Sequence, residues 1–431
     1  MMSVPPVSQA DYSRILLRLQ SNPSQVIRAA QDGSLLDIMA VTNNIQALPV
    51  LQTPQIVSLF CSHLEYQKAP DPTRPAAPRS PAVYAAERGL LSLQALGNFG
   101  PFFATAAPSS PLLTPILRGW PGIFRWMTIF YTLHSGKPHD EAQRRNVFEM
   151  ISYALYSITN PDHIQRVVSS TPGLLRLATI LWLRDDEGSP SNRRLPIPAA
   201  AAAFHHVIFD ASSVKFDEVL EHSEKTSDAL AHFALRRLHA TLKRTPLVPD
   251  HVHTHVDVLV SLSRVATHPL RASILQKGGI GLVTRAFLLL FQHSTDPSTR
   301  DALISSTGFL RNLLECTSGI PWVLQSVHEG LLTAFARASS PALSSFDPDA
   351  HNYTLELVSD VIPRYLVYRS VIVAIYTALN KLRANNPELM SRVKRSSAKQ
   401  AWANLERLAA ERMAIKSEWT VFRKQIAYCD H

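Results

Sequence analysis

Residues 274–283 read Ile274-Leu275-Gln276-Lys277-Gly278-Gly279-Ile280-Gly281-Leu282-Val283. An apolar pair closes one helix, glycine turns the chain, and apolar residues resume at once at helical spacing. Glycine suits the turn because it enters the left-handed conformation without a Cβ clash. The pattern recurs around Gly122 (Gly-Trp-Pro-Gly-Ile-Phe-Arg-Trp-Met), Gly173 (Ser-Thr-Pro-Gly-Leu-Leu-Arg-Leu-Ala) and Gly330 (Val-His-Glu-Gly-Leu-Leu-Thr-Ala-Phe). Taking Gly279 as the member in the quoted stretch, the intervals are 51, 106 (twice 53) and 51 residues. A missing member is expected near residue 226, where His-Ser-Glu-Lys-Thr-Ser-Asp-Ala-Leu-Ala-His-Phe gives a polar turn and an apolar helix without the glycine. Stacked units of this kind bury a continuous core that no single unit can bury alone. The competing reading is an ordinary irregular helical domain in which glycine ends helices.

The rest of the chain agrees with an all-α fold. Between prolines, apolar residues fall three and four apart, as in Ile15, Leu16, Leu19 and in Ile56, Leu59, Phe60, Leu64. Of 431 residues 46% are hydrophobic, enough to form a core, and 30 Pro against 15 Gly suits helices punctuated at their ends. The aromatic stripe Trp120, Phe124, Trp126, Phe130 reads as core at helical spacing.

The predicted organisation is N-terminal helices over 1–67, a Pro-rich loop or linker over 68–81 (five prolines), the helical array over 82–386, and a basic amphipathic helix over 387–428. Two polar, Pro/Ser-rich stretches, 184–198 and 338–352, read as projecting loops. Three widely spaced cysteines, Cys61, Cys316 and Cys429, form no CxxC pair and point to a reducing compartment. The N-terminus lacks an apolar signal core, and the late apolar run 365–379 is interrupted by Arg369. The expectation is an intracellular protein, cytoplasmic or nuclear, that spans no membrane.

Enzyme signatures fail on inspection. Gly279-Ile-Gly281 lacks the third glycine and the preceding strand of a dinucleotide fingerprint, and Gly136-Lys137 is followed by Pro138 where a phosphate loop needs Ser or Thr. There is no Gly-x-Ser-x-Gly elbow, and His328-Glu329 has Leu332 where a metalloprotease helix needs its second His. His251, His253 and His255 form the densest histidine cluster, but Pro249-Asp250 marks a helix start, so only His251 and His255 share a face, in a solvated first turn. No catalytic residue and no cofactor is expected in this chain.

The C-terminal segment carries the charge. Residues 388–428 lack Pro and Gly, and Leu405, Leu408, Ile415, Trp419, Phe422 and Ile426 mark an apolar face broken by Arg412. Between Ser391 and Gln425, Arg392, Lys394, Arg395, Lys399, Arg407, Arg412, Lys416, Arg423 and Lys424 stand against Glu406, Glu411 and Glu418, so this stretch holds +6 of the chain's net +9. Arg392, Lys394, Arg395 and Lys399 are the candidate contacts for an acidic protein or, as the alternative, for nucleic acid. A solvated outer face of a docked helix is the plainer reading of the same charges.

Two resemblances follow from these residues. The 274–283 stretch resembles armadillo-type repeats, although a period of 51–53 is longer than the roughly 40–47 of armadillo and HEAT units. The implied fold is an irregular armadillo/HEAT-like α-solenoid with a long C-terminal helix. Separately, Glu418-Trp419-x-x-Phe422 leading to Tyr428-Cys429-Asp430 resembles the approach to the finger in fungal MYND-type zinc-finger proteins. That resemblance implies a protein-interaction role, and it implies zinc, with Cys429 as first ligand, only in a longer product carrying the finger over and beyond 429–431.

Overall fold

The computed structural model describes residues 9–71, 77, 80–135, 141–185, 197–210, 212–291, 297–315, 319–338, 352 and 354–429, with the side chains of 297 and 420–429 outside the description. All regular structure among these residues is helical. Contacts divide the chain into two units, residues 1–211 with 221–223, and residues 212–220 with 224–431.

The first unit contains α1 (Gln9–Ser21), α2 (Pro23–Gln31), α3 (Leu35–Asn44), α4 (Pro54–His63), α5 (Pro81–Asn98), α6 (Gly100–Ala104), α7 (Thr114–Ser135), α8 (Glu141–Thr159), α9 (Asp162–Val168), α10 (Leu174–Arg184) and α11 (Ala199–Ile208). Prolines open α2, α4 and α5, where a helix has no use for the missing N–H. Asn22, Thr53 and Ser80 cap these three helices, each accepting a bond from the backbone N–H three residues on. After the Pro-rich 68–81 segment, α5 packs on α3 and α4, which precede it, so both flanks share one core. Of the aromatic stripe, Trp126 and Phe130 are fully buried and Trp120 nearly so, whereas Phe124 is half-buried. α11 begins with five consecutive alanines, all buried, and these small side chains let it lie close against both α8 and α10. Trp182 of α10 stacks on Phe204 of α11 with ring centroids 4.3 Å apart.

The second unit contains α12 (Ser213–Ser223, whose last turn groups with the first unit), α13 (Ser227–Leu242), α14 (Pro249–Leu262), α15 (Pro269–Gln276), α16 (Gly279–Leu290), α17 (Pro297–Glu315), α18 (Ile320–His328), α19 (Leu331–Ala338), a π-helical turn at Leu357–Val361 continuing through Ile362–Arg364, α20 (Arg369–Asn385), α21 (Pro387–Val393) and α22 (Lys399–Cys429). α14 packs on α13 and α17, α16 on α17 and α19, and α20 on α18 and α22. Among the described residues no single helix is long and apolar enough to cross a membrane; the bent pair α15 and α16 has suitable composition, but most of its apolar residues are buried.

The glycine reading needs two corrections. Left-handed backbone occurs at Gly33, outside the repeating series, and at Gly173, Gly330 and Gly278, the last one residue before the expected Gly279, which is the first residue of α16. Gly122 is no turn. It lies inside α7 and is buried because the helix there touches the 64–66 backbone, and a Cβ would drive into the Leu64 carbonyl oxygen. The missing member exists without a glycine: Glu224, between α12 and α13, has φ +52°. The left-handed positions 173, 224, 278 and 330 are thus spaced 51, 54 and 52 residues.

Around three of them the same order recurs: a long helix, a short helix, the left-handed residue, then another helix. These sets are α8, α9, Gly173, α10; α14, α15, Gly278, α16; and α17, α18, Gly330, α19.

The long C-terminal helix is also corrected. It breaks at 394–398, where Ser396 Oγ donates to the Val393 carbonyl (2.8 Å) and accepts from the Ala398 N–H (3.2 Å), replacing helical bonds. Val393 and Ala398 are buried on either side of the turn. Of the expected apolar face, Leu405 is buried and Leu408 half-buried, while Ile415 and Trp419 are 57% and 60% exposed. The docked part of α22 is therefore Ala401, Trp402, Leu405 and Ala409. The stretches 186–196 and 339–351, read as projecting loops, lie outside the described residues.

Left-handed backbone costs a residue with a Cβ about 1–2 kcal/mol. Glu224→Gly should therefore stabilise the chain, by about 0.5–1 kcal/mol after the entropy glycine adds to the unfolded state. A Cβ added at Gly173, Gly278 or Gly330 meets nothing nearer than 3.4 Å, so alanine there should cost the conformational 1–2 kcal/mol alone. Gly122→Ala should cost about 2–3 kcal/mol through overpacking. Denaturant unfolding of the variants checks both the order and the opposite sign at 224.

Candidate interaction surface

The turn at 394–398 gathers the four cations expected to contact a partner. Arg392 ends α21, Lys394 and Arg395 occupy the turn, and Lys399 opens α22. All four are exposed, and none forms an ion pair among the described residues. Arg395 Nε donates to the Ser391 carbonyl at 3.3 Å, which holds that side chain along α21.

Lys394 and Lys399 rim a recess of about 320 Å3 whose walls are Met390, Val393, Trp402, Ala403 and Glu406. Trp402 is buried against Phe335 of α19, with ring centroids 6.0 Å apart, and anchors the start of α22. The carboxylate at the rim is already occupied: Glu406 Oε1 accepts from Arg383 of α20 at 3.2 Å. Further along, Arg407 pairs with Glu411 at 2.8 Å. Four exposed cations thus lie together at 392–399, an arrangement that can attract an anion.

Two other recesses lie in the first unit. One, of about 470 Å3, is lined by Cys61, Glu65, Thr114, Pro115 and Arg118 among others. Burial pushes the Cys61 thiol up to about 12, so it stays protonated and unreactive near neutrality. The second, of about 350 Å3, sets Arg144, Arg145 and Arg184 beside Glu141, Glu149 and Asp185, a balanced set that selects neither sign of ligand.

The histidine cluster is not the solvated helix start expected from the sequence. His251 and His255 are each 2% exposed, on a helix that packs against α13 and α17. Arg244 Nη1 donates to His251 Nδ1 at 2.9 Å, an acceptor role that requires the neutral ring. His253, half-buried, pairs instead with Asp257 at 3.0 Å. Among the described residues no group of three or more His, Cys, Asp and Glu is placed to hold a metal. The helix backbone runs through Cys429, whose side chain, like Cys316, lies outside the description. From 388 onward the sequence offers Cys429 and His431 alone, half the ligands of a structural zinc, so the residues present do not fit a finger.

Sequence reasoning missed the polar groups that join helices inside the second unit. Arg271 of α15, 3% exposed, donates to the carbonyls of Ser263 and Asn312, joining the end of α14 to α17. Asp228 of α13 accepts from Ser273 at 2.6 Å and pairs with Lys277 at 3.2 Å. Neither has a spacing signal, since Asn312 lies 41 residues from Arg271 and Ser273 lies 45 from Asp228.

No protein-family model matches the chain, and no curated protein is significantly similar to it.

Two histidines titrate in opposite senses. His63 is held below the ordinary 6.5 by burial and by the charges of Lys68 and Arg88, against the Ala30 carbonyl its Nε2 contacts at 2.9 Å. Burial also works to lower His253, but its hydrogen bond and charge pairing with Asp257, with Asp301 and Asp250 behind, raise it overall. The folded state resists protonating His63, so stability should fall as pH drops below about 6.5, and His63→Gln should reduce that loss. His253 contributes stability that is full below about 6.5 and lost as pH rises through its raised value; Asp257→Asn should abolish that contribution. Denaturant titrations from pH 5 to 8 check both signs.

Proposed function

We propose that this chain is a non-enzymatic protein-interaction scaffold whose body is an irregular armadillo-like solenoid. The observation that carries the reading is the long helix, short helix, left-handed residue and helix that recur at 173, 278 and 330, together with a fourth left-handed position at 224 that brings the spacings to 51, 54 and 52 residues. Arrays of such units expose extended surfaces whose usual ligand is another protein. The resemblance of the C-terminal region to MYND-type proteins supports the same class of role.

Within that scaffold the cation cluster at 392–399 is the contact for an acidic segment of the partner. Single-stranded nucleic acid is the second reading, favoured by the same four cations in eight residues. Stacking decides between them: Trp402 is buried, which leaves no aromatic face beside the cations for a base.

Selection from a random peptide display library on the immobilised chain should enrich sequences rich in Asp and Glu. Their affinity should fall at least tenfold in the variant Arg392→Glu, Lys394→Glu, Arg395→Glu, Lys399→Glu, and should weaken as salt rises from 50 to 200 mM. Enriched peptides that bind the variant equally well would contradict the assignment. Tighter binding of an oligonucleotide of equal charge, with log K falling against log salt at a slope near −0.7 per phosphate neutralised, would favour the second reading.

A further inference from the structure

The turn between α21 and α22 holds two adjacent serines in different settings. Ser396 is half-buried and its hydroxyl is engaged at both ends, donating to the Val393 carbonyl and accepting from Ala398 N–H. Ser397 is exposed, and among the described residues its hydroxyl makes no hydrogen bond. Arg392, Lys394 and Arg395 precede it by five, three and two residues, and Lys399 follows by two. Each of these cations is exposed and carries no ion pair among the described residues.

We propose that Ser397 is a phosphorylation site for a basophilic serine/threonine protein kinase. Kinases select substrates largely by charge pattern, and cations two and three residues before the acceptor fit a cleft lined with carboxylates. What the fold adds to the motif is access. The backbone leaves helical geometry over 394–398, and three turn bonds must open for it to extend: Arg395 N–H to Arg392, Ser396 N–H to Val393, and Lys399 N–H to Ser396. Two other serines near arginine lack this access. Ser273, two residues after Arg271, is 6% exposed and donates to Asp228, while Ser80, after Arg79, is half-buried and caps α5.

In the transfer, Ser397 Oγ bonds to the γ-phosphorus of magnesium ATP as the bond to the β,γ-bridging oxygen breaks. ADP leaves, and the hydroxyl proton passes to the kinase's catalytic base. The phosphate brings about −2 of charge into a cluster of four cations, roughly halving its net charge. Loss of acidic-partner binding is the expected consequence. That consequence rests on the function proposed above, whereas the modification itself does not.

The test treats the full-length chain with the catalytic subunit of a basophilic kinase and magnesium ATP, then locates phosphate by intact mass and fragmentation. One phosphate on Ser397 is expected. It should be absent in Ser397→Ala and retained in Ser396→Ala, and kcat/KM should fall about tenfold or more in Lys394→Ala/Arg395→Ala. A chain left unmodified overturns the proposal, as does phosphate placed mainly on Ser396 or elsewhere, or a rate indifferent to Lys394 and Arg395. On the phosphorylated chain, affinity for a selected acidic peptide should drop at least tenfold. Unchanged affinity with Ser397 fully phosphorylated would count against the acidic-partner reading and leave the site intact.

Discussion

A helix that ends and restarts within a few residues must satisfy its last carbonyls while turning sharply, and a residue in the left-handed region does both. At Gly278 the N–H bonds the Leu275 carbonyl, and the Gly278 carbonyl accepts from Leu282, the first bond of α16. Gly330 repeats this between Val327 and Ala334, and Gly173 begins α10 through Leu177. One residue thus closes a helix and opens the next, which fixes the angle at which the second packs back on the first. The helix order around these points follows from that constraint, as does the burial of Ile274 with Ile280 and Val283, and of Val327 with Leu331 and Ala334.

The remaining geometry concerns how closely elements approach and what polar groups join them. Small residues permit the closest contacts, as with the alanines of α11 and with Gly122 beside the 64–66 backbone. Polar groups then join helices distant in sequence: buried Arg271 to α17, exposed Asp228 to α15, and, in the first unit, Arg18 with the buried Asp37, whose second oxygen accepts from Ser34. An Arg271 that donates to main-chain carbonyls keeps its charge inside the unit without a carboxylate. Losing one of its acceptors leaves a buried donor unsatisfied, which costs about 1–3 kcal/mol.

Much of this was legible because it depends on local chemistry. Prolines at the first positions of α2, α4, α5, α14, α15 and α21 and the three- and four-residue apolar spacing dictate helices directly. Gly173 and Gly330 were legible as turns because the pattern on both sides was helical. Gly122 deceived because a glycine chosen for close packing looks the same in sequence as one chosen for its φ. Glu224 was invisible for the converse reason: nothing in its side chain announces a left-handed backbone. The break at 394–398 escaped notice because it depends on a single serine hydroxyl replacing main-chain bonds. His251 and His255 looked solvated because burial of a first turn is decided by neighbouring helices, which no local window contains. At the candidate surface, the identity of the four cations was legible, but their gathering on one exposed turn with two inequivalent serines was not.

If the left-handed positions mark true structural units, the chain should tolerate loss of one whole unit and reject loss of the same length taken across a boundary. Deleting residues 279–330 joins Gly278 to Leu331 and preserves the order of elements, whereas deleting 305–356 removes as many residues but cuts α17 in its middle. Far-ultraviolet circular dichroism with denaturant unfolding compares the two most directly. The account predicts helix content and a cooperative transition in the first deletion and their loss in the second. Equal collapse, or equal tolerance, would show that the spacing of 173, 224, 278 and 330 carries no structural unit.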